Sequence, residues 1–182
     1  MNNLPPVSSA TLRRLGAVVR SLVLLGALAL ATVPFWLWSS PERVREAAQS
    51  AVGRAAPLTL DERALWWNGL AGLPAVLLGF FLLWQLWRLF GEYGKGRVFS
   101  RHAVRHLRRF ALGVMGLAVL APLTRTLSML ALTWGNPPGQ RQLVLSFSSD
   151  DYFRLLLAAV LLAIAAVMSE AVRVAEENAE FV

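Results

Sequence analysis

The chain has 182 residues, 56% hydrophobic and 16% charged, with a mean hydropathy of +0.51. So few charges cannot clothe a soluble domain of this size, and the absence of cysteine excludes disulfides, thiolate metal sites and cysteine nucleophiles. The net charge of +7 would suit nucleic acid, but the basic residues cluster beside apolar runs, where anionic lipid headgroups are the nearer counter-charge.

In chain order, the first eleven residues are polar and contain prolines. Arg13 and Arg14 then precede an apolar run over about 15–38, long enough to cross a hydrocarbon core of about 30 Å. A cleaved signal peptide is the weaker reading. It would use Arg13-Arg14 as the basic region and Ala27-Leu28-Ala29 or Ala29-Leu30-Ala31 as the cleavage site, but the run continues through Val33 to Trp38. Between Pro41 and Pro57, Val44, Ala47, Ala48, Ala51, Val52 and Ala55 recur at helical spacing among charged residues. This predicts a short amphipathic helix in an outer loop. Thr59-Leu60-Asp61-Glu62 fits a capping box that launches a second span over 64–90, with Pro74 inside as a potential kink.

Gly91, Gly94 and Gly96 predict a break after this span, and Ser100 is the predicted N-cap of the next helix. From Arg88 to Arg109 there are seven basic residues and one acid, Glu92. A short loop this basic stays on the cytoplasmic side of a membrane. The third span covers 107–134 and is stopped by Trp134-Gly135-Asn136-Pro137-Pro138. Gln142 to Phe147 leans toward a strand, though it is too short to assign. Ser148-Ser149-Asp150-Asp151 is a second capping pattern, opening a fourth span over 152–174 before an acidic tail. The seven tryptophans flank or end the apolar runs, as in an interfacial aromatic belt. The expected fold is one all-α domain, a four-transmembrane-helix bundle. Both termini are expected in the cytoplasm.

The stretch Leu-Phe-Gly-Glu-Tyr-Gly-Lys-Gly-Arg-Val-Phe-Ser (89–100), followed by Ala103 and Leu107-Arg108-Arg109-Phe110, resembles a bacterial membrane family catalogued as domain of unknown function 2975. The ending Ser169-Glu170-Ala171-Val172, Glu176-Glu177-Asn178 and Phe181-Val182 is similar to that family too. The resemblance runs from about Leu60 to the C-terminus. It implies a four-helix integral membrane protein, with a bacterial inner (cytoplasmic) membrane as the expected localisation. Some members are encoded beside a small helix-turn-helix regulator, which implies a cytoplasmic DNA-binding partner. It carries over no catalytic or binding residue and no cofactor.

Several charged residues call for partners. Arg20 and Glu170 each lie about a turn and a half inside a span from the cytoplasmic side. Either Arg20 snorkels to headgroups or the two form an intramembrane ion pair. Arg125 sits deeper, in the outer half of span three, with Asp150, Asp151 and Asn68 as candidate partners or an outward snorkel as the alternative. Arg154 can meet Asp150 at i, i+4. His102 and His106 have metal-ligand spacing, yet no third ligand beyond Glu92 is in view, so a solvated basic face is the expectation and no metal is assigned. Residues 91–96 lack the Gly-Lys-Ser/Thr ending of a phosphate loop. Lys95, Arg97, Arg101, Arg105, Arg108 and Arg109 form the expected cytoplasmic surface for docking or anionic lipid. Gly69, Gly72, Gly79, Gly113, Gly116, Ala159 and Ala163 are expected at helix contacts. With no nucleophile–base pair or paired carboxylates in the spans, the expected role is non-catalytic, and the resemblance implies a sensor or regulatory partner. The alternatives are an accessory subunit of a membrane complex and a small transporter or channel.

Overall fold

The structure, a computed structural model, describes residues 9–52, 62–137, 145 and 147–180. It contains five helices: α1 (Ser9–Trp38), α2 (Pro41–Val52), α3 (Glu62–Gly94), α4 (Arg101–Thr133) and α5 (Ser149–Glu180). The fold is all-α among the described residues, with four long apolar helices and one short one. Apolar stretches long enough to cross a membrane run over Arg13–Leu37, Glu62–Gly94, Arg101–Thr133 and Ser149–Asn178. At 1.5 Å per residue, the 33-residue α3 and α4 are about 50 Å long, so each overhangs a core of about 30 Å. Large apolar side chains such as Leu25, Leu28, Leu77, Phe35 and Val167 are exposed, as a lipid-facing surface requires. The capping box expected at Thr59 and most of the strand-leaning segment, 142–144 and 146, lie outside the described residues.

Local chemistry fixes most helix ends. α3 does not break at Gly91 as expected. It runs on to Gly94 and ends in a Schellman motif, with Gly96 N–H donating to Tyr93 O at 2.9 Å and Arg97 N–H to Glu92 O at 3.1 Å. Gly96 takes φ +76°, the left-handed conformation that this motif demands. One glycine makes the turn, because the other two are accommodated within the final helical turn. Four residues later, the Ser100 hydroxyl accepts the Ala103 N–H at 3.2 Å and opens α4 as its N-cap. α5 opens at Ser149, and the Asp151 carboxylate reaches back to the Ser148 N–H at 2.9 Å, the reciprocal half of a capping box. At the start of α2, the backbone N–H of Glu42, then the Ser40 hydroxyl, hold the Glu42 carboxyl below its ordinary value.

The chain divides into two compact units, and the four long helices contribute to both. Unit 1 comprises Met1–Ala27, Phe81–Met115 and Leu156–Val182; unit 2 comprises Leu28–Phe80 and Gly116–Leu155. In unit 1 the core joins Leu89 of α3, Ala103 and Leu107 of α4, and Ala165 of α5, flanked by Phe90, Tyr93, Leu161 and Met168. α1 comes so close to α3 that a Cβ on Gly16 would stand 3.1 Å from the Phe90 carbonyl oxygen. In unit 2, Val44 of α2 packs on Ala64 of α3 and Leu132 of α4, which anchors the short helix. Arg43 lies over the Trp36 ring and donates to Trp36 O at 2.8 Å, satisfying a carbonyl at the end of α1. Gly79 meets Leu30, and Gly116 meets Leu78.

Two helices bury narrow seams. On α4 the buried residues Val104, Leu107, Ala111, Val114 and Ala118 alternate three and four apart; on α5 the buried residues are Asp151, Ala158, Ala165 and Val172, seven apart. This is heptad spacing, the repeat that keeps one stripe of a helix against its neighbours. It corrects one expectation: Ala159 and Ala163 are exposed, and the small residues at the α5 contact are Ala158 and Ala165.

Candidate functional site

The basic residues predicted as one surface fall into separate environments, all within unit 1. At the α3–α4 turn, Lys95 and Arg97 share a single carboxylate, Glu92, at 3.4 and 3.0 Å. Arg101, at the start of α4, forms a bidentate pair with Glu176 of α5, its Nε standing 2.8 Å from each carboxylate oxygen. Arg105, Arg108 and Arg109 are exposed and have no ion-pair or hydrogen-bond partner among the described residues. Arg101, Arg105 and Arg108 border a groove of about 770 Å³ between α4 and α5, whose far wall includes Leu162, Ala166 and Ser169. Four cations line it against two carboxylates, Glu170 and Glu176. Both carboxylates are already engaged, since Glu170 takes Arg173 of its own helix, with Nε to Oε2 at 3.0 Å.

Arg20 and Glu170 are therefore not brought together. The guanidinium of Arg20 stacks on Trp87 of α3, 3.8 Å from the ring centroid, and its Nε is buried without a hydrogen-bond acceptor. Glu170 instead finds a cation three residues along α5. The quadrupole of an indole face can hold a cation where a carboxylate would be costly to bury. Trp87 is partly buried beneath Arg20, whereas Trp36, Trp66, Trp67, Trp84 and Trp134 remain well exposed.

In unit 2, Arg125 of α4 pairs with Asp151 of α5, chosen from the three candidate partners. Asp151 also binds Arg154 at 3.0 Å, so Arg154 meets the acid three residues before it, not Asp150. The side chain of Asp151 is only 3% exposed and accepts the Ser148 N–H and hydroxyl as well. One buried carboxylate thus caps α5 and ties α5 to α4.

The family model described as "Protein of unknown function (DUF2975)" matches residues 42–182. The chain belongs to this family. The match starts earlier than the sequence motifs suggest and takes in α2. No curated protein and no solved structure matches the chain.

In this DUF2975 protein the two histidines part company. His106 Nδ1 lies 2.7 Å from Oε1 of the buried Gln85, an interhelical bond that occupies one ring nitrogen, while His102 is exposed. Among the described residues no group of three or more histidine or acidic side chains is placed to hold a metal ion. Sequence reading gives Gln85 no role, although an amide within an apolar run is a signal for an interhelical hydrogen bond. Trp87 escaped for the opposite reason, because an aromatic near a span end is most simply read as belt.

Proposed function

We propose that this is a non-catalytic, multi-pass protein of a bacterial cytoplasmic membrane that acts as a sensor or regulatory partner for a cytoplasmic protein. The observation that carries the reading is the charge imbalance around the α3–α4 turn. Lys95 and Arg97 are both more than half exposed and share one carboxylate, and Arg109 has none. Such a turn is held on the cytoplasmic side by the positive-inside rule, which puts both termini there too. Its rigid cationic face suits the acidic surface of a soluble protein, and the bilayer contact at this end is with anionic headgroups. A small helix-turn-helix regulator is the partner that the family resemblance suggests. No cofactor is assigned.

Affinity capture of the full chain in mild detergent tests the reading. A soluble regulator should co-purify, and the triple variant Lys95→Glu, Arg97→Glu, Arg109→Glu should lose it. Capture of integral membrane subunits alone would replace the proposal with an accessory-subunit role. Solute flux in liposomes would replace it with transport. Reporter tags beside Lys95 and Asn136 should report opposite compartments, and the same compartment for both would refute the orientation.

A further inference from the structure

We infer that the α4–α5 groove is a seat for one anionic phospholipid, with its phosphate between Arg105 and Arg108 and an acyl chain along Leu162 and Ala166. The inference rests on the membrane reading of α4 and α5 and not on the protein-docking reading.

Arg105 and Arg108 are three residues apart, hence on one helix face, and both line the groove without a partner among the described residues. The carboxylates that could have quenched them are engaged elsewhere: Glu176 by Arg101, and Glu170 by Arg173. Two free guanidinium groups offer planar forks that match phosphate oxygens. The groove then changes character. Arg101 pairs with Glu176, and further along α4 Leu107 shares a core with Ala165, an earlier residue of α5, so the two helices run antiparallel here and Leu162 lies about 16 Å deeper along α5 than Arg173. Leu162 and Ala166 fall inside the apolar stretch Ser149–Asn178. A ligand that satisfies both ends must be anionic at one end and hydrocarbon at the other. A soluble acidic peptide would satisfy the arginines and leave the apolar wall empty. The volume of about 770 Å³ lies within the usual range for small-ligand sites of about 300–1,000 Å³. A zwitterionic lipid would bring its own cation into a site with a cation excess, so the seat selects phosphatidylglycerol over phosphatidylcholine.

The experiment is native mass spectrometry of the full chain in mild detergent, titrated with phosphatidylglycerol, phosphatidylcholine or glycerol phosphate. One phosphatidylglycerol should be retained, phosphatidylcholine more weakly, and glycerol phosphate not at all. Arg105→Gln and Arg108→Gln should each weaken retention about fivefold, and Arg109→Gln should not. Ala166→Trp plugs the groove without changing charge and should abolish retention. Ser169→Trp is the second plug should the first lose its helicity by circular dichroism. Equal retention of both lipids, retention of glycerol phosphate, or undiminished phosphatidylglycerol in a folded plug variant would overturn the proposal. Lipid retention is read without any protein partner, so its failure is separable from failure of docking.

Discussion

Replacing Asp151 with Asn isolates the worth of the α4–α5 ion pair. The amide keeps an acceptor for the Ser148 N–H, so the start of α5 stays capped, while the charge facing Arg125 and Arg154 is lost. Removing one partner of a fully buried pair costs about 3–5 kcal/mol, because the other charge is left uncompensated. Asp151 meets that condition at 3% exposed, but the Arg125 side chain is 33% exposed and can recover part of its solvation. The expected loss is therefore about 2–3 kcal/mol, at or below the foot of that range. For a chain of 150–250 residues this corresponds to a fall of about 4–12 °C in Tm. Thermal unfolding of the purified protein in one detergent, followed by circular dichroism at 222 nm, is the assay. Asp151→Ala should lose about 1 kcal/mol more, because the cap goes too. Arg125→Met combined with Asp151→Asn should recover part of the single-variant losses, since the cycle then removes both charges. A Tm for Asp151→Asn within about 2 °C of the parent, or strictly additive losses in the cycle, would refute the idea that this carboxylate ties the two helices together.

Other substitutions separate tight contacts from loose ones. Gly16→Ala should destabilise by about 1–2 kcal/mol, because the new Cβ would face a backbone carbonyl at 3.1 Å; Gly79→Ala should cost less, because its neighbour is the mobile end of Leu30. The same thermal assay ranks the two, and the reverse order would contradict the close approach of α1 to α3. Gly96→Ala should cost about 1–2 kcal/mol, since its φ of +76° is strained for a residue with a Cβ. Trp87→Leu should lower stability by about 0.5–2 kcal/mol through loss of the stack beneath Arg20, whereas Glu170→Gln should leave Tm unchanged. A large effect of Glu170→Gln, rescued by changing Arg20, would restore the ion pair that the structure does not form.

The four long helices were legible in the sequence because twenty or so apolar residues have one physical explanation, and the basic turn because arginines accumulate beside a span end. Ser100 and Ser148 were legible because a cap is a local bond between residues three apart. The rotation of each helix about its axis was not. In a soluble helix the polar face reveals the buried one, but here lipid and neighbouring helix are equally apolar and the pattern carries little phase. That is why Ala159 and Ala163 stood in for Ala158 and Ala165, one and two positions from the true seam. It is also why depth alone offers Arg20 either headgroups or an acid at the same level, when its neighbour in space is an indole. Depth along the normal is readable from residue count; azimuth is decided by packing. Arg125 found Asp151 because the polar candidates at that level were few.

The turn between α3 and α4 holds a mechanical consequence. Two Schellman bonds close one helix and a serine cap opens the next, all between Glu92 and Val104. A hairpin fastened so tightly has no slack to absorb a displacement. A pull on the exposed tip is therefore passed to the adjoining ends of α3 and α4 together, as through a clamped elbow.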